Sequence, residues 1–503
     1  MTARSPARAT IAGMNGSDTT LLVVVIAFVV DLAIRIAALI VIPRDRKPTA
    51  AMAWLLAIFF IPFIGIFFFL LIGSPHLPRS RREKQRRIDT LINSATDGTD
   101  FDTDHPRWPD WFGPVTVMNR VVGAIPIVGG NEAHLIDDYE GSFAAMAADI
   151  DTAENFVHVE FYIVAFDPTT AGFFGALERA VQRGVSVRLL LDHVASVRAA
   201  NHKQTFAELD RIGVAWRFML PVQPLKGRYQ RPDLRNHRKL VVVDGRVAYM
   251  GSQNLIDRSY NAKKNLARGL MWHELMTRIT GPVVTGINVI FIGDWYCETD
   301  EFVDHENVRA TEVPRHGSSD ALDCQVVPSG PGFDGENNLR LFLALLHSAR
   351  ERIIITSPYF VPDEAMMYAI TSGVQRGLDV QLFVSEIGDQ GPVFHAQRSY
   401  YRALLTAGVH IWMYPAPYIL HSKHLSIDDD VAVIGSSNMD IRSFALDLEV
   451  SLLVRGPAFV AEMREIEAKY RAVGRELTLE EWNREPRSAT FLDGLARLTS
   501  ALQ

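Results

Sequence analysis

The chain has 503 residues, which is room for two or three domains, and its formal net charge is −7 at pH 7. This acidic balance argues against a protein built to coat nucleic acid, because such proteins usually carry a strong excess of basic residues. The two cysteines, Cys297 and Cys324, are too few and too badly spaced for a zinc site, and their scarcity suits a reducing compartment.

Two long apolar runs lie near the start of the chain. Residues 21–42 are apolar except for Asp31 and Arg35, which are four residues apart and can therefore pair on a helix. Residues 51–72 carry no charge and are rich in phenylalanine, and Pro62 is expected to kink a helix formed by them. Each run has 22 residues, and a helix of about 20 residues spans the hydrocarbon core of a bilayer.

The two runs predict a two-helix transmembrane hairpin over residues 21–72, preceded by an N-terminal tail over residues 1–20. A cleaved signal peptide, with Arg4 and Arg8 as its basic region, is the alternative for the first run, but the apolar segment is long and a second span follows it. A buried soluble helix is the alternative for the second run, which has no polar face to present to water.

Basic residues around the hairpin predict its orientation. Three of them lie in the connecting loop and eight on the other side of the membrane, namely Arg44, Arg46 and Lys47 against Arg4, Arg8, Arg79, Arg81, Arg82, Lys84, Arg86 and Arg87. Because basic residues favour the cytoplasmic side, we expect a multi-pass protein of the inner (plasma) membrane with its catalytic lobes in the cytoplasm. The basic stretch over residues 79–87 is also a candidate contact for anionic lipid headgroups.

After a predicted linker over residues 73–112, which is first basic and then acidic, one order of elements occurs twice. A strand, a helix and a second strand are predicted at 155–166, 169–184 and 185–192, and again at 351–362, 364–377 and 379–386. Strand–helix–strand units predict parallel strand pairing, so the expected fold class is α/β, with two duplicated lobes that form one catalytic domain.

The duplication places the first lobe at residues 113–318 and the second at residues 319–503, with the boundary in the polar stretch near 315–325. The tetrapeptide VQRG occurs in both halves, which indicates that whole lobes were duplicated. After a break at Pro486, the last residues predict an amphipathic helix, which either packs on the lobes or lies on the membrane.

One short pattern of polar residues is also present twice, in NHRKLVVVDGRVAYMGSQN and in HSKHLSIDDDVAVIGSSN. The first copy consists of His237, Lys239, Asp244, Gly251, Ser252 and Asn254, and the second copy, 184 residues later at every position, consists of His421, Lys423, Asp428, Gly435, Ser436 and Asn438. The same offset relates Arg258 and Ser259 to Arg442 and Ser443. Packing alone has no use for His and Lys on one face of a strand, so the pattern predicts a functional pocket.

The local geometry of the pattern fits phosphate chemistry. Residues two apart on a strand point the same way, so His237 and Lys239 share a face. Asp244 and Asp428 lie at turns, where we expect them to bind nearby backbone amides. Two imidazoles, two ammonium groups and two hydroxyl and amide pairs suit a site in which one histidine attacks a phosphate and the other protonates the group that leaves.

The spacing His-x-Lys, four residues, Asp and then Gly-Ser-x-Asn resembles the phospholipase D superfamily, and two copies in one chain resemble its bilobal members. Together with the N-terminal apolar runs, the chain most resembles the bacterial cardiolipin synthases of the phospholipase D type. The resemblance covers nearly the whole chain, from about residue 20 to its end. It implies a pseudo-two-fold cleft in which the two histidines face one phosphorus atom.

The resemblance also implies a mechanism that needs neither a metal nor another cofactor. His237 is expected to be the nucleophile that forms a phosphohistidine, and His421 the acid that protonates the departing alkoxide. We expect the phosphate to be held by the remaining polar residues of the two patterns, which are Lys239, Lys423, Asn254, Asn438, Ser252 and Ser436. The catalytic set is therefore His237, Lys239 and Asp244 with His421, Lys423 and Asp428.

An acidic residue downstream of each pattern is implied to orient a catalytic histidine, and Glu274 and Glu449 match this position best. A surface salt bridge is the alternative role for each of them. Four arginines are candidates for neutralising a second phosphate, with surface charge or structural ion pairs as the alternative, namely Arg228, Arg231, Arg258 and Arg442.

The reaction implied by the resemblance is transfer of a phosphatidyl group between two phosphatidylglycerol molecules, which yields cardiolipin and releases glycerol. The expected partners are these lipids and the bilayer, with no nucleic acid, and the sequence does not specify the oligomeric state. A hydrolytic phospholipase D or another phosphatidyltransferase would share every catalytic residue. A nuclease is a further alternative, against which the hairpin and the negative net charge argue. A membrane scaffold with a dead active site is another, against which the two intact patterns argue.

Overall fold

A computed structural model describes residues 16–44, 46, 48–73, 77–96, 108–303, 321–333 and 335–498. Most of the predicted N-terminal tail, Lys47 of the connecting loop, the acidic part of the predicted linker and most of the predicted lobe boundary lie outside the described residues. The chain forms two compact units, Met1–Pro75 and His76–Gln503.

The first unit contains three apolar helices, α1 (Gly16–Val41), α2 (Pro48–Phe60) and α3 (Pro62–Ile72). Helix α1 is long and apolar enough to cross a membrane, by length and composition, and Asp31 pairs with Arg35 within it as predicted. The second apolar run is divided, because Pro62 has no backbone N–H to donate and begins a new helix. The described residues therefore contain one helix of membrane-spanning length, followed by two shorter apolar helices.

The second unit begins with the elements of the first half. Its helices are α4 (Arg79–Thr96), α5 (Phe112–Gly123), α6 (Tyr139–Asp151), α7 (Ala171–Gln182), α8 (His193–Arg198), α9 (His202–Ile212), α10 (Lys263–Arg268) and α11 (Val283–Thr299). Its strands are β1 (Val128–Ile136), β2 (Phe156–Phe161), β3 (Ser186–Asp192), β4 (Ala215–Met219), β5 (Val222–Gln223), β6 (Arg228–Tyr229), β7 (Arg235–Asn236), β8 (Leu240–Val243), β9 (Val247–Gly251), β10 (Met271–His273) and β11 (Met276–Thr280).

The second half follows in the same unit. Its strands are β12 (Leu322–Ser329), β13 (Arg352–Thr356), β14 (Phe360–Val361), β15 (Asp379–Ser385), β16 (His410–Tyr414), β17 (Tyr418–Leu420), β18 (His424–Ile427), β19 (Val431–Gly435), β20 (Met439–Asp440), β21 (Asp447–Arg455) and β22 (Arg475–Leu477). Its helices are α12 (Asn337–Ser348), α13 (Glu364–Gln375), α14 (Gly391–Ala407), α15 (Ile441–Ala445), α16 (Pro457–Val473), α17 (Leu479–Trp482) and α18 (Arg487–Arg497).

One sheet runs through both halves, and each half repeats the same strand order. The order is β1-β11-β9-β8-β2-β3-β4 in the first half and β12-β21-β19-β18-β13-β15-β16 in the second, with β22 added at the outer edge. The halves join where β1 pairs antiparallel with β12. Strands β2, β3 and β4 are parallel, as are β13, β15 and β16, which confirms the predicted duplicated α/β fold with parallel strand–helix–strand units.

The strands are apolar on both faces, because helices cover both sides of the sheet. In β13, Ile354 faces a core that both halves share, whereas Ile353 and Ile355 face the opposite side. Helices α11 and α16 cover the shared face. On the opposite face, α6, α7 and α9 cover the first half and α12, α13 and α14 cover the second, so α14 and α16 lie on opposite faces of the sheet.

The predicted linker contains the folded helix α4, which packs against α11. Arg81 of its basic stretch is only 6% exposed and pairs with Glu298, and Lys84 lies 2.7 Å from the carboxylate of Asp300. At least part of the basic stretch is therefore bound to carboxylates of the second unit, rather than presented to solvent or lipid.

Candidate active site

The two pattern histidines lie where strands of opposite halves pair with one another. His237 follows β7, which pairs in parallel with β21 of the second half, and its backbone N–H donates to the carbonyl of Leu448. His421 follows β17, which pairs in parallel with β10 of the first half, and its N–H donates to the carbonyl of His273. Each histidine is thus held at the junction by the backbone of the other half.

The carboxylates of Glu449 and Glu274 reach the two imidazoles across this junction. Nδ1 of His237 lies 2.9 Å from Oε1 of Glu449, and Nδ1 of His421 lies 2.8 Å from Oε1 of Glu274. Both carboxylates are almost fully buried. A neutral imidazole that donates its Nδ1 proton carries its lone pair on Nε2, so each carboxylate fixes one tautomer.

The two serines of the pattern lie behind the imidazoles and are fully buried. The Ser436 hydroxyl donates to Glu449 and accepts from the N–H of Val450. The Ser252 hydroxyl accepts from the N–H of Leu275 and contributes a hydrogen bond to Glu274. In the structure both hydroxyls are bound to the carboxylates and to the strands that carry them, and their contact with phosphate stays a prediction.

The pattern glycines permit this close packing. A Cβ atom at Gly251 would clash with the carbonyl oxygen of Leu275, and one at Gly435 would clash with that of Val450. Only glycine allows β9 and β19 to approach β11 and β21 so closely next to the serines.

Lys239 and Lys423 are buried, and each ammonium group donates to the carbonyl oxygen of the histidine two residues before it. The Lys423 ammonium also lies 3.1 Å from Nδ1 of His421. Burial lowers the pKa of Lys239 to about 7 and that of Lys423 to about 8. Two ammonium groups therefore lie beside the imidazoles, and burial disfavours their charged form.

The electrostatic environment differs between the two histidine–carboxylate pairs. Burial, followed by the charges of Lys239 and Lys423, lowers the pKa of His237 well below its usual value. Burial also raises the pKa of its partner Glu449 to about 6. Burial lowers the pKa of His421 as well, but the adjacent Glu274 carboxylate opposes that shift.

Glu274 itself behaves differently from Glu449. Burial alone would raise the pKa of the Glu274 carboxyl, but the interactions with His421 and Lys423 outweigh it and lower the pKa. The pair of His421 with Glu274 therefore favours an imidazolium and a carboxylate more than the pair of His237 with Glu449 does.

Both histidines border one cavity of about 800 Å³ between the two halves. Side chains from both pattern copies and three tyrosines contribute to its wall, including His237, His421, Asn254, Asn438, Tyr162, Tyr260 and Tyr359. The amide of Asn254 is fixed, since its oxygen accepts from the N–H of Ile163 and its nitrogen donates to the hydroxyl of Tyr260. Among the described residues, no group of three or more His, Cys, Asp or Glu side chains is arranged to hold a metal ion.

Tyr260 is a site residue that the sequence reasoning missed. Its hydroxyl donates to Oε1 of Glu274 at 3.0 Å, on the same carboxylate that meets His421. The residue 184 positions later is Phe444, which has no hydroxyl. The sequence therefore held a signal for this residue, because the two pattern copies continue as Arg-Ser-Tyr in one case and Arg-Ser-Phe in the other.

Asp244 and Asp428 lie at turns, as their position in the pattern indicates. Both have positive φ angles of 49°. The carboxylate of Asp244 accepts from the backbone N–H groups of residues 154–156, and that of Asp428 from those of residues 350–352. Each aspartate thus fixes the start of the strand that pairs with the first strand after the histidine, which is β2 beside β8 in one half and β13 beside β18 in the other.

Of the four candidate arginines, Arg442 borders the cavity, and the other three are absent from its lining. The Arg442 guanidinium lies 3.3 Å from Asp447 and donates to the carbonyl of Asp233. Arg231 pairs with Asp233, Arg258 pairs with Glu140, and Arg228 is exposed on β6. Arg235, which was not predicted, borders the cavity and is held by Asp192 at 3.0 Å.

Comparison with known proteins agrees with the geometry. A family described as "Cardiolipin synthase, PLD-like domain" matches residues 146–280 and 342–469, and one described as "Phospholipase D-nuclease N-terminal" matches residues 33–74. Cardiolipin synthase A of Pectobacterium atrosepticum is 30% identical over 453 residues, which is 89% of this chain and 91% of that protein. Cardiolipin synthase A of Proteus mirabilis is 29% identical over 470 residues, covering 92% and 94% of the two chains.

A solved structure shares the fold. The phosphatidylserine synthase of Haemophilus influenzae Rd KW20 superposes with a TM-score of 0.58 over 77% of this chain and 99% of that one. The two sequences are 15% identical in the superposed region, so the likeness is one of fold.

Proposed function

The chain belongs to the family of phospholipase-D-like cardiolipin synthases, and we propose that it forms cardiolipin from two phosphatidylglycerol molecules through a phosphohistidine on His237. Membership of this family makes it a phosphatidyltransferase and a membrane-associated phospholipid synthase. The observation that carries the finer proposal is the crossed pairing of two imidazoles, in one cavity, with carboxylates of the opposite halves.

The different environments of the two histidines support His237 as the nucleophile. Its lowered pKa keeps the imidazole neutral, and the hydrogen bond from Nδ1 to Glu449 leaves the Nε2 lone pair to attack phosphorus. The bond between phosphorus and the glycerol oxygen of the first phosphatidylglycerol then breaks as the bond between phosphorus and Nε2 forms.

His421 is the corresponding acid and base. The Glu274 carboxylate stabilises its protonated form, and a bound phosphodiester adds a second negative charge that raises its pKa further. The imidazolium gives its proton to the departing glycerol. It then takes a proton from the terminal hydroxyl of a second phosphatidylglycerol, whose oxygen attacks phosphorus and displaces His237.

The cations and amides support stabilisation of the charge that grows on the phosphate oxygens. Asn254 and Asn438 border the cavity, and the ammonium groups of Lys239 and Lys423 lie beside the imidazoles. In a site of low dielectric constant, such pre-positioned groups act more strongly than they do in water. We assign Ser252 and Ser436 a positioning role, since they hold the two carboxylates rather than the substrate.

The membrane arrangement is part of the same proposal. We propose that residues 21–72 form a two-helix hairpin in the inner membrane, with the broken second run as its second span and the catalytic lobes in the cytoplasm. An enzyme anchored in this way meets both lipid substrates at high local concentration, which favours a lipid alcohol over water as the acceptor.

The proposal is tested with the purified full chain in vesicles that contain phosphatidylglycerol. We expect cardiolipin and free glycerol in equal amounts, whereas phosphatidic acid without cardiolipin would identify a hydrolase. A second experiment uses a substrate that is radiolabelled in its phosphatidyl group and whose leaving group departs without protonation. With it, the His421→Ala chain should accumulate an acid-labile phosphohistidine, and the His237→Ala chain should not. Label in both variants, or in neither, would contradict the assignment of the nucleophile.

A further inference from the structure

The C-terminal helix α18 buries a charged residue and exposes apolar ones. Asp493 is 3% exposed, and its carboxylate lies 2.7 Å from Nδ1 of His395 and 3.3 Å from Nε of Arg398, both on α14. On the outward side, Phe491 is 70% exposed and Leu495 is 52% exposed. This is the reverse of a surface helix in a soluble protein, which turns its apolar stripe towards the core.

The exposed apolar residues form one continuous face. They are Phe491, Leu492, Leu495 and Leu498. Their spacing of one, four and seven residues places them on one side of a helix and its last turn. Exposed apolar patches of this kind mark sites where a protein meets another surface.

The charges around this face fit an anionic lipid surface. Arg487 and Arg497 lie at the two ends of α18, and the carboxylate of Asp493 is directed inwards to a histidine and an arginine. The guanidinium of Arg497 lies over the ring of Tyr400 on α14, 4.7 Å from its centroid, so the exposed side of α18 carries apolar residues with the cation of Arg487 at its start and no acidic residue of the helix. An amphipathic helix with these properties lies in the headgroup region of a bilayer, and anionic lipids strengthen its binding.

The position of α18 connects this face to the active-site cavity. It packs on α14, whose first turn supplies Pro392 and Val393 to the cavity wall. His395, which pairs with Asp493, is two residues further along the same helix. Helix α18 thus packs on the same helix that borders the cavity.

We propose that α18 is an interfacial helix that docks on the anionic phospholipid surface of the membrane and holds the edge of the cavity beside it. This docking rests on the membrane association of the chain, but it does not require the phosphohistidine chemistry.

The test places a fluorescent label on the full chain in vesicles of phosphatidylglycerol and phosphatidylcholine that contain an acyl-chain spin label. Leu495→Cys carries the probe. Val473→Cys at the end of α16 is the matched control, since it is 55% exposed and α16 lies on the opposite face of the sheet. We expect a blue shift and strong quenching at residue 495, weaker in vesicles of phosphatidylcholine alone, and neither effect at residue 473. The parent chain, which contains Cys297 and Cys324, is treated with the same label and gives the background from these two cysteines.

Equal quenching at the two positions, or none at residue 495, would overturn the proposal. A blue shift at residue 495 that depended on protein concentration, and not on lipid, would also overturn it, because a second copy of the chain would then cover the face. The His421→Ala chain should give the same quenching, so a failure of docking is distinguishable from a failure of the proposed catalysis.

A kinetic measurement gives a second test in a folded protein. Leu495→Glu should raise the apparent KM for phosphatidylglycerol in vesicles by roughly tenfold, because an interfacial apolar contact is lost, and should leave kcat unchanged. Val473→Glu should change neither constant. A fall in kcat with an unchanged KM would contradict a docking role.

Discussion

Nδ1 of His237 lies 2.9 Å from Oε1 of Glu449, a residue of the opposite half of the molecule, and the reciprocal contact joins His421 to Glu274 at 2.8 Å. Neither half therefore contains a complete histidine–carboxylate pair. The contacts depend on two strand pairings between the halves, β7 with β21 and β10 with β17. The duplicated halves are thus interdependent at the site itself, and not only through the core that they share.

The crossed pairing predicts that Glu449→Gln abolishes most catalysis without unfolding the protein. A glutamine keeps the shape of the side chain but presents a neutral amide, so it fixes the tautomer of His237 poorly and stabilises no charge on it. We expect kcat to fall by roughly 100-fold or more. Cardiolipin formation by the reconstituted full chain measures this loss, and circular dichroism measures the fold.

A matched control for this substitution exists on the surface of the same half. Glu476 lies 2.6 Å from Nδ1 of His410, and this pair is exposed to solvent. Glu476→Gln should leave both kcat and stability close to those of the parent, since exposed pairs contribute little. If Glu449→Gln behaved like Glu476→Gln, the carboxylate would not orient the histidine.

A second prediction separates positioning from phosphate binding. Ser436 holds Glu449 and the backbone of Val450, so Ser436→Ala should lower kcat by about tenfold and leave KM for phosphatidylglycerol unchanged. Asn438→Ala should raise KM as well, because that amide borders the cavity. Ser437→Ala is the control, since its hydroxyl donates to the adjacent backbone carbonyl of Asn438. If Ser436→Ala raised KM, the Ser436 hydroxyl would instead be assigned to substrate binding.

The sequence predicted the duplication and the parallel strand–helix–strand units, because these follow from local periodicity and repeated spacing. The proximity of the two patterns was implied by the family resemblance together with the repeat. It did not predict which histidine each carboxylate meets. Glu449 is 212 residues from His237, and only the pairing of β7 with β21 brings them together. Periodicity gives the face on which a side chain lies but not the element that packs against that face.

The serines and the second apolar run illustrate the same limit. The resemblance implied that Ser252 and Ser436 hold the phosphate, but it did not predict their contacts with the carboxylates, which depend on the close approach of strands that the preceding glycines permit. In the second apolar run, composition predicted a single kinked span. The missing N–H of Pro62 instead ends one helix and begins another.

The buried lysines give a third prediction, on pH dependence. The pKa values of about 7 for Lys239 and about 8 for Lys423 lie below the usual value for lysine, so both cations are lost as the pH rises through this range. We expect kcat/KM to fall as the pH rises, first through loss of the proton on the acid His421, whose pKa burial also lowers, and then through loss of the two lysine charges. The decline in kcat should begin at higher pH, because a bound phosphodiester raises all three pKa values. On the acid side, the strongly lowered pKa of His237 keeps the nucleophile neutral.

Profiles of kcat and kcat/KM from about pH 5 to about pH 9 test this expectation. Lys239→Arg retains a permanent charge, so it should remove one ionisation and make the alkaline limb of kcat/KM less steep, whatever its absolute rate. If Lys239→Arg left the alkaline limb of the kcat/KM profile unchanged, a group other than Lys239 would be responsible for that ionisation.

The last prediction concerns stability rather than catalysis. The carboxylate of Asp244 accepts from three backbone N–H groups at the start of β2, so Asp244→Ala leaves buried donors unpaired and should lower the free energy of unfolding by about 2–4 kcal/mol. Asp244→Asn should cost less, because asparagine tolerates the positive φ angle of this turn. Asp429→Ala is the control, since its side chain is 76% exposed. Folded Asp244→Ala protein should keep the parent kcat in the cardiolipin assay; a loss of kcat at unchanged stability would instead place the aspartate in the chemical step.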